Sequence, residues 1–258
     1  ARPTHGLITN IGRAHTETFG GVEGIIRGKS ELFDFLRKTD ESVFINNEDP
    51  ILANMSKRFS APVSYPSEDF SLVASTPTLK VKLSETIQQT HTVGKYNFAN
   101  MAAAVAVGRF FEVPDEEILA AVAAYTPDNA RSQLISHGNT RIILDAYNAN
   151  PDSMKAALEN LAEHAGRRIA ILGDMNELED PEASHVEILA YAEKLKIDQI
   201  ITIGEKIGKV ASPENHQQTK EQLKTTLSDL DLQNTTILLK ASRSMQLESL
   251  IKNMNEWI

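Results

Sequence analysis

Residues 142 to 155 read Ile-Ile-Leu-Asp-Ala-Tyr-Asn-Ala-Asn-Pro-Asp-Ser-Met-Lys, an apolar run followed by a polar loop and a helix start. The apolar run predicts a buried strand, and Pro151 suits the first turn of a helix. Asp145, Asn148 and Asn150 then fall in the loop between strand and helix. Such residues are common helix caps, but polar groups at the carboxyl end of a strand are also where α/β proteins bind ligands. Both interpretations stay open on this stretch alone.

The alternation of strand and helix patterns continues to the end of the chain. Further strands are expected at Ile169–Leu172, Gln199–Ile203 and Ile237–Leu239, with helices between them and a last helix over Met245–Trp257. Strands that alternate with helices build parallel sheets with helical crossovers. We therefore predict a Rossmann-like domain with a mostly parallel sheet over residues 128–258.

Residues 1–127 predict a second α/β domain with a different rhythm. A strand is expected over Gly6–Ile11 and a helix over Gly20–Leu36, and residues 70–93 show the two-residue alternation of antiparallel strands. The turn-forming residues around Pro127 supply the boundary between the two domains.

The composition narrows the class of protein. The chain has 258 residues, 41% of them hydrophobic and 24% charged, which is ordinary for one large or two average globular domains. A net charge of −9 argues against a nucleic-acid partner, which needs a basic face. There are no cysteines, so disulfides and thiolate metal sites are excluded, and no apolar run is long enough to predict a membrane span.

Three of the predicted strand ends carry polar or charged side chains. Asp145, Asp174 and Arg243 each follow an apolar run of the second domain. Because the carboxyl ends of parallel strands meet at one edge of a sheet, we expect these residues to form a polar rim where a ligand binds.

The segment Arg27-Gly28-Lys29-Ser30 invites comparison with a phosphate-binding P-loop. That motif needs a glycine five positions before Gly28, where this chain has Glu23, and it needs a strand-to-helix turn, whereas Lys29 falls inside a helical pattern. We therefore interpret Lys29 either as a solvated helix residue or as a lysine directed at a site from that helix.

Other candidates have a structural and a functional interpretation. His15 follows a strand and is either structural or a metal or phosphate ligand. Asn97 and Asn100 lie three residues apart on one helix face, where they either cap the helix or read a nucleobase. Arg131 follows the domain boundary, as a surface residue or a phosphate clamp.

Four segments together resemble the Mur ligases, in the order found in that family, and the resemblance covers essentially the whole chain. They are Ile8-Thr9-Asn10-Ile11-Gly12-Arg13-Ala14-His15, Gly24-Ile25-Ile26-Arg27-Gly28-Lys29-Ser30-Glu31-Leu32, Gly94-Lys95-Tyr96-Asn97-Phe98-Ala99-Asn100 and Asp145-Ala146-Tyr147-Asn148-Ala149-Asn150-Pro151. The last of these, with residues 172–178 (Leu-Gly-Asp-Met-Asn-Glu-Leu), is most similar to the members that add D-alanyl-D-alanine.

The resemblance implies an ATP-dependent amide ligase of peptidoglycan synthesis, with roles in cell-wall biogenesis, cell shape and cell division. D-alanyl-D-alanine would be joined to UDP-N-acetylmuramoyl-tripeptide through an acyl phosphate, with ATP and Mg²⁺ as cofactors, in the cytoplasm. The fold implied is the remainder of a P-loop-type ATPase central domain, followed by the Rossmann-like C-terminal domain.

The resemblance also implies roles by position. His15 and Lys29 match the family's magnesium site, Lys29 as the lysine that becomes carbamylated. The other matches are the ATP-binding residues Asn97, Asn100, Arg131 and Asp145, and the less closely matched dipeptide contacts Asn148 and Asn150.

The chain departs from the family pattern in several respects. The family's UDP-sugar domain, its glycine-rich phosphate loop and the glutamate of its metal site are not in this sequence, and Tyr96 stands where the family usually has histidine. We therefore expect the chain alone to lack ligase activity. A sibling Mur ligase, a folylpolyglutamate synthase relative (which usually has histidine in place of Ala149) and a non-catalytic nucleotide-binding module remain as alternatives.

Overall fold

The computed structural model describes residues 2–12 and 16–252, and the chain divides into two compact units. The first comprises Ala1–His91 and Lys95–Tyr125, and the second comprises Thr92–Gly94 and Thr126–Ile258. Both are α/β units, and parallel pairing predominates in the six-stranded sheet of the second unit, as the sequence predicts.

The first unit contains two small sheets. One is parallel, in the order β1-β2-β3, and the other is antiparallel, in the order β4-β5-β6. The strands are β1 His5–Leu7, β2 Ser42–Asn46, β3 Val63–Tyr65, β4 Phe70–Ala74, β5 Lys80–Leu83 and β6 Thr86–Gln89, and the helices are α1 Thr16–Phe19, α2 Val22–Thr39, α3 Pro50–Ser56, α4 Phe98–Phe110 and α5 Asp115–Ala124.

Helix α2 forms because its apolar side chains recur at helical spacing. Ile25, Phe33 and Leu36 are buried on one face, and the helix ends at Asp40, which adopts the left-handed conformation with φ of 54°. The strand expected over Gly6–Ile11 is shorter than predicted. The backbone N–H of Ile11 donates to the carboxylate of Asp49 instead of a strand partner.

The second unit is built on one six-stranded sheet, in the order β11-β10-β9-β12-β8-β7. All pairs are parallel except β7 with β8. The strands are β7 Gln133–His137, β8 Thr140–Asp145, β9 Arg167–Gly173, β10 Gln199–Ile203, β11 His216–Gln217 and β12 Thr235–Lys240, and the helices are α6 Pro151–Ala162, α7 Pro181–Lys194, α8 Glu205–Gly208, α9 Lys220–Ser228 and α10 Glu248–Lys252.

Two differences from the sequence expectation concern the ends of this sheet. Strand β7 was not predicted, because only Leu134 and Ile135 are apolar in it and both are half-buried at the sheet edge. The helix expected over Met245–Trp257 begins later, at Glu248, after a 3₁₀ turn at Arg243–Met245. Residues 253–258 lie outside the described part of the chain.

Each face of the sheet carries its own core. Helices α6 and α7 cover the face that contains Ile143 of β8 and Leu238 of β12. Helix α9 covers the opposite face. Because side chains alternate along a strand, the last residues of the two strands, Asp145 and Lys240, point to the α6 face.

Candidate functional site

The candidate site of the second unit lies at the carboxyl edge of its sheet. Strands β9, β12 and β8 are neighbours, so the residues that follow them meet at this edge. The structure thus brings Asp145, Asp174 and Arg243 to the same edge, as the sequence predicts.

Asp145 forms a buried ion pair at the end of β8. The Nζ atom of Lys240 lies 2.6 Å from Asp145 Oδ2, and the Lys240 side chain is only 1% exposed. The other carboxylate oxygen of Asp145 accepts a hydrogen bond of 3.1 Å from the backbone N–H of Ser132. Both oxygens of Asp145 therefore bind groups of the second unit itself.

Arg131 is exposed beside this pair and stacks on Tyr147. Its guanidinium carbon lies 3.7 Å from the centroid of the Tyr147 ring, and that of Arg243 lies 5.9 Å from the same centroid. Arg243 also pairs with Glu248 at 3.0 Å. Among the described residues, Arg131 contacts no carboxylate, so its guanidinium can bind an anionic ligand.

The two asparagines of the loop have different local partners. The side chain of Asn150 caps α6 by accepting from Ser153 N at 2.9 Å, and the Ser153 hydroxyl accepts from Asn150 N in return. Asn148 Oδ1 accepts from the backbone of Ala149. Within the described part of the chain neither amide nitrogen donates to another residue, so each can donate to a ligand. Asn150 therefore has a structural role that does not prevent ligand binding.

Side chains join the loops after β9 and β12. Asn176 donates from its backbone to Ser242 Oγ and from its amide to Ser244 Oγ, both at 3.0 Å. Lys206 Nζ donates to Asn176 Oδ1 at 2.8 Å. Asp174 Oδ1 accepts from the backbone N–H groups at the start of α8. Asp174 therefore acts as a helix cap here, and hydrogen bonds connect the loops after β9 and β12.

The buried side chain of His185 holds the loop after β9 in place. His185 Nε2 accepts from Met175 N at 2.9 Å, and Nδ1 lies 2.6 Å from the carbonyl of Pro181. Because Nε2 accepts, Nδ1 must carry the proton and the ring is neutral. Burial lowers the pKa of His185, in agreement with the neutral form.

The first unit holds the remaining candidates. Lys29 lies in α2, as expected, and its Nζ donates to the carbonyl of Asn10 at 2.9 Å. Asn100 Nδ2 donates to Asn97 Oδ1 at 3.0 Å, so the two amides do share a face at the start of α4. His15 lies outside the described residues. Residues 2–12 and 16–252 contain no group of three or more His, Asp or Glu side chains that could hold a metal ion.

Comparison with known proteins identifies both units. Residues 1–108 match the family model of the Mur ligase middle domain, and residues 130–244 match that of the Mur ligase glutamate ligase domain. The chain belongs to the Mur ligase family.

Individual Mur ligases are similar along almost the whole chain. The UDP-N-acetylmuramoyl-tripeptide–D-alanyl-D-alanine ligase of Bacillus subtilis is 31% identical over 99% of this chain. A crystal structure of MurF from Acinetobacter baumannii has a TM-score of 0.84, with 25% identity over 99% of this chain and 60% of that one. The MurF ligase of Thermotoga maritima in complex with ADP shares the fold, with a TM-score of 0.81 at 20% identity over 99% of this chain and 62% of that one. The chain spans 60% of the length of the Bacillus subtilis ligase and 61% of that of the similar Escherichia coli ligase.

Sequence reasoning on this Mur ligase chain missed Lys240 and His185. Lys240 ends an apolar run just as Asp145 does, but only the strand register sets the two residues side by side. The spacing of His185 matches no metal motif, and its role depends on a loop ten residues earlier.

In the described residues no helix is long and apolar enough to cross a membrane.

Proposed function

We propose that the chain forms the nucleotide- and dipeptide-binding part of an ATP-dependent ligase that joins D-alanyl-D-alanine to UDP-N-acetylmuramoyl-tripeptide in peptidoglycan synthesis. The observation that carries the proposal is the carboxyl edge of the six-stranded sheet, where Arg131, Tyr147 and Asn148 surround the Asp145–Lys240 pair. The names of the similar Mur ligases supply the substrates.

The two units would have different roles in the ligase. Residues 1–127 would be the C-terminal part of the central ATP-binding domain, and residues 128–258 the C-terminal ligase domain. Asn97 and Asn100 present a pair of amides that suits a nucleobase. Arg131 presents the planar guanidinium that suits phosphate oxygens. The ADP complex of a neighbour with the same fold supports a nucleotide as the ligand.

The reaction needs one activated carboxyl group and one amine. The carboxylate of the tripeptide substrate takes the γ-phosphoryl group of ATP, giving an acyl phosphate and ADP. The amine of D-alanyl-D-alanine attacks the acyl carbon, and the amide forms as phosphate leaves. Asn148 and Asn150 would hold the dipeptide through their amide donors.

Lys29 and His15 would hold Mg²⁺, which would stabilise the charge on the transferring phosphoryl group. An ammonium group cannot bind a cation, so Lys29 fits only after carbamylation, which gives it carboxylate oxygens. The carbamate keeps an N–H, so the bond from Lys29 to the Asn10 carbonyl is compatible with the modification. We also propose that the protein is cytoplasmic, because ATP and a nucleotide-linked substrate are cytoplasmic metabolites.

The coding sequence upstream of Ala1 gives the first test. We expect a glycine-rich loop that ends Gly-Lys-Thr or Gly-Lys-Ser, and a start codon close to Ala1 would instead favour a non-catalytic nucleotide-binding module. The longer protein should release phosphate only when ATP, the UDP-linked tripeptide and D-alanyl-D-alanine are all present.

A matched pair of variants tests the role of the sheet edge. Arg131→Met removes the exposed guanidinium at the carboxyl edge, whereas Arg141→Met removes an exposed guanidinium from the opposite end of β8. With both variants made in the longer protein, we expect phosphate release to fall at least tenfold only in Arg131→Met, because a hydrogen-bonded charge contributes about 1.5–3 kcal/mol. Equal losses in both variants would contradict the proposed site.

A further inference from the structure

Lys240 is the most deeply buried cation among the described residues of the sheet. Every residue of β12 is buried, and Lys240 occupies its last position with a side chain that is 1% exposed. A buried ammonium is costly unless it is paired and hydrogen-bonded. The groups that accept hydrogen bonds from Lys240 therefore indicate its role.

The ammonium of Lys240 joins two separate segments. It donates to Asp145 Oδ2 at 2.6 Å and to the carbonyl of Asn148 at 3.2 Å. Asp145 in turn accepts from Ser132 N at 3.1 Å. Lys240 therefore holds the loop after β8 directly. Through Asp145, it also holds the turn that contains Arg131.

That turn needs an external anchor. Ala130 and Ser132, on either side of Arg131, have φ values of 57° and 50°. Residues with a Cβ atom adopt this left-handed region at a cost and keep it only where surrounding contacts enforce it. The Ser132 hydrogen bond to Asp145 is such a contact, and it depends on the orientation of the carboxylate that Lys240 holds.

We propose that Lys240 is a positioning residue that sets Arg131 and the Asn148 loop in their ligand-binding geometry. The proposal rests on the proposed function for its ligands, but the contacts themselves do not. Lys240 is enclosed, so it acts through Asp145 and Asn148 and does not touch substrate. The simpler alternative is that Lys240 only neutralises Asp145.

Two substitutions separate these roles. Lys240→Met keeps the length of the side chain but removes its donors and leaves the Asp145 carboxylate unpaired. The double variant Lys240→Met with Asp145→Asn removes the unpaired charge as well. Lys206→Met is the matched control, because Lys206 lies at the same sheet edge but binds Asn176.

Amide hydrogen exchange of residues 130–133 and 146–150 is the first measurement, and it needs no ligand. We expect Lys240→Met to raise exchange in both segments by about tenfold or more, as the loss of anchoring hydrogen bonds predicts. In the double variant the thermal midpoint should recover, while exchange in residues 146–150 stays fast. Lys206→Met should leave both segments as in the wild type. If Lys240→Met does not fold, comparing exchange in the double variant with that in the wild type still tests the proposal.

The proposal is overturned if the double variant restores wild-type exchange in residues 146–150, since Lys240 would then only neutralise charge. It is also overturned if Lys240→Met leaves exchange unchanged. Titration with ATP and with D-alanyl-D-alanine, followed by amide NMR shifts, adds the ligand arm. We expect weaker binding in Lys240→Met than in Lys206→Met, and equal binding contradicts the positioning role. Wild-type protein that binds neither ligand would refute the proposed function, while the exchange result would still decide whether Lys240 anchors the two segments.

Discussion

The buried imidazole of His185 predicts how stability depends on pH. Burial lowers its folded pKa from the ordinary value of 6.5, and the same holds for His164. Stability is therefore fully present above the unfolded pKa and is lost as the pH falls from about 6.5 towards the folded pKa. Because the unfolded imidazole takes up a proton in this range and the buried one resists it, each histidine lowers the stability by at most about 1.4 kcal/mol between pH 7.5 and 5.5. The two together cost at most about 2.7 kcal/mol.

His185→Gln tests this value because glutamine does not titrate but keeps one acceptor and one donor for Met175 and Pro181. The assay is urea unfolding of the wild type and the variant at pH 7.5 and 5.5. We expect His185→Gln to lose up to about 1.4 kcal/mol less than the wild type over this range. His164→Gln should remove the other half of the loss, and the double variant nearly all of it. An unchanged pH dependence in both single variants would refute the reasoning.

Three further substitutions test separate features. Asn150→Ala removes the capping box of α6 and should lower the free energy of unfolding by about 1 kcal/mol in urea titrations; no change would show that the cap is dispensable. Gly166→Ala should lower the melting temperature by several degrees, because Gly166 has φ of 85° and a Cβ atom there would lie 2.2 Å from the carbonyl oxygen of Asn234; calorimetry that finds equal stability contradicts this. Tyr147→Leu should weaken nucleotide binding about two- to fivefold by removing the ring beneath Arg131, whereas Tyr147→Phe should not; calorimetric titration that finds equal losses in both variants points to the hydroxyl instead.

The sequence predicts those parts of the fold that depend on local patterns. The alternation of apolar runs and helical spacing places β8, α6 and β9 nearly where they lie, and Gln199–Ile203 is predicted to the residue. Strand β7 is missed because its pairing with β8, and not its own composition, makes it a strand. The start of the last helix is misplaced because the 3₁₀ turn before it shows no distinct pattern.

The site follows a similar division. Asp145 and Arg131 are candidates on sequence grounds alone, because ligands bind at strand ends in this class of fold and an arginine at a domain boundary can bind phosphate. Their anchoring by Lys240 and Ser132 cannot be read from the sequence, since it depends on strand register and on two left-handed residues. The sequence leaves open whether Asn150 caps α6 or binds the dipeptide. In the structure its side-chain oxygen caps the helix, and its amide nitrogen donates to no described residue, so it can still donate to a ligand.

Substrate dependence of the complete protein tests the central claim most directly. The chain, expressed with its upstream coding sequence, is incubated with ATP, UDP-N-acetylmuramoyl-tripeptide and one amine substrate at a time. The masses of the products are then measured by mass spectrometry. We predict a product heavier by one dialanine unit with D-alanyl-D-alanine, and none with L-alanyl-L-alanine, a diamino acid or glutamate. Product formed with a single amino acid in place of the dipeptide would contradict the account and indicate a sibling ligase.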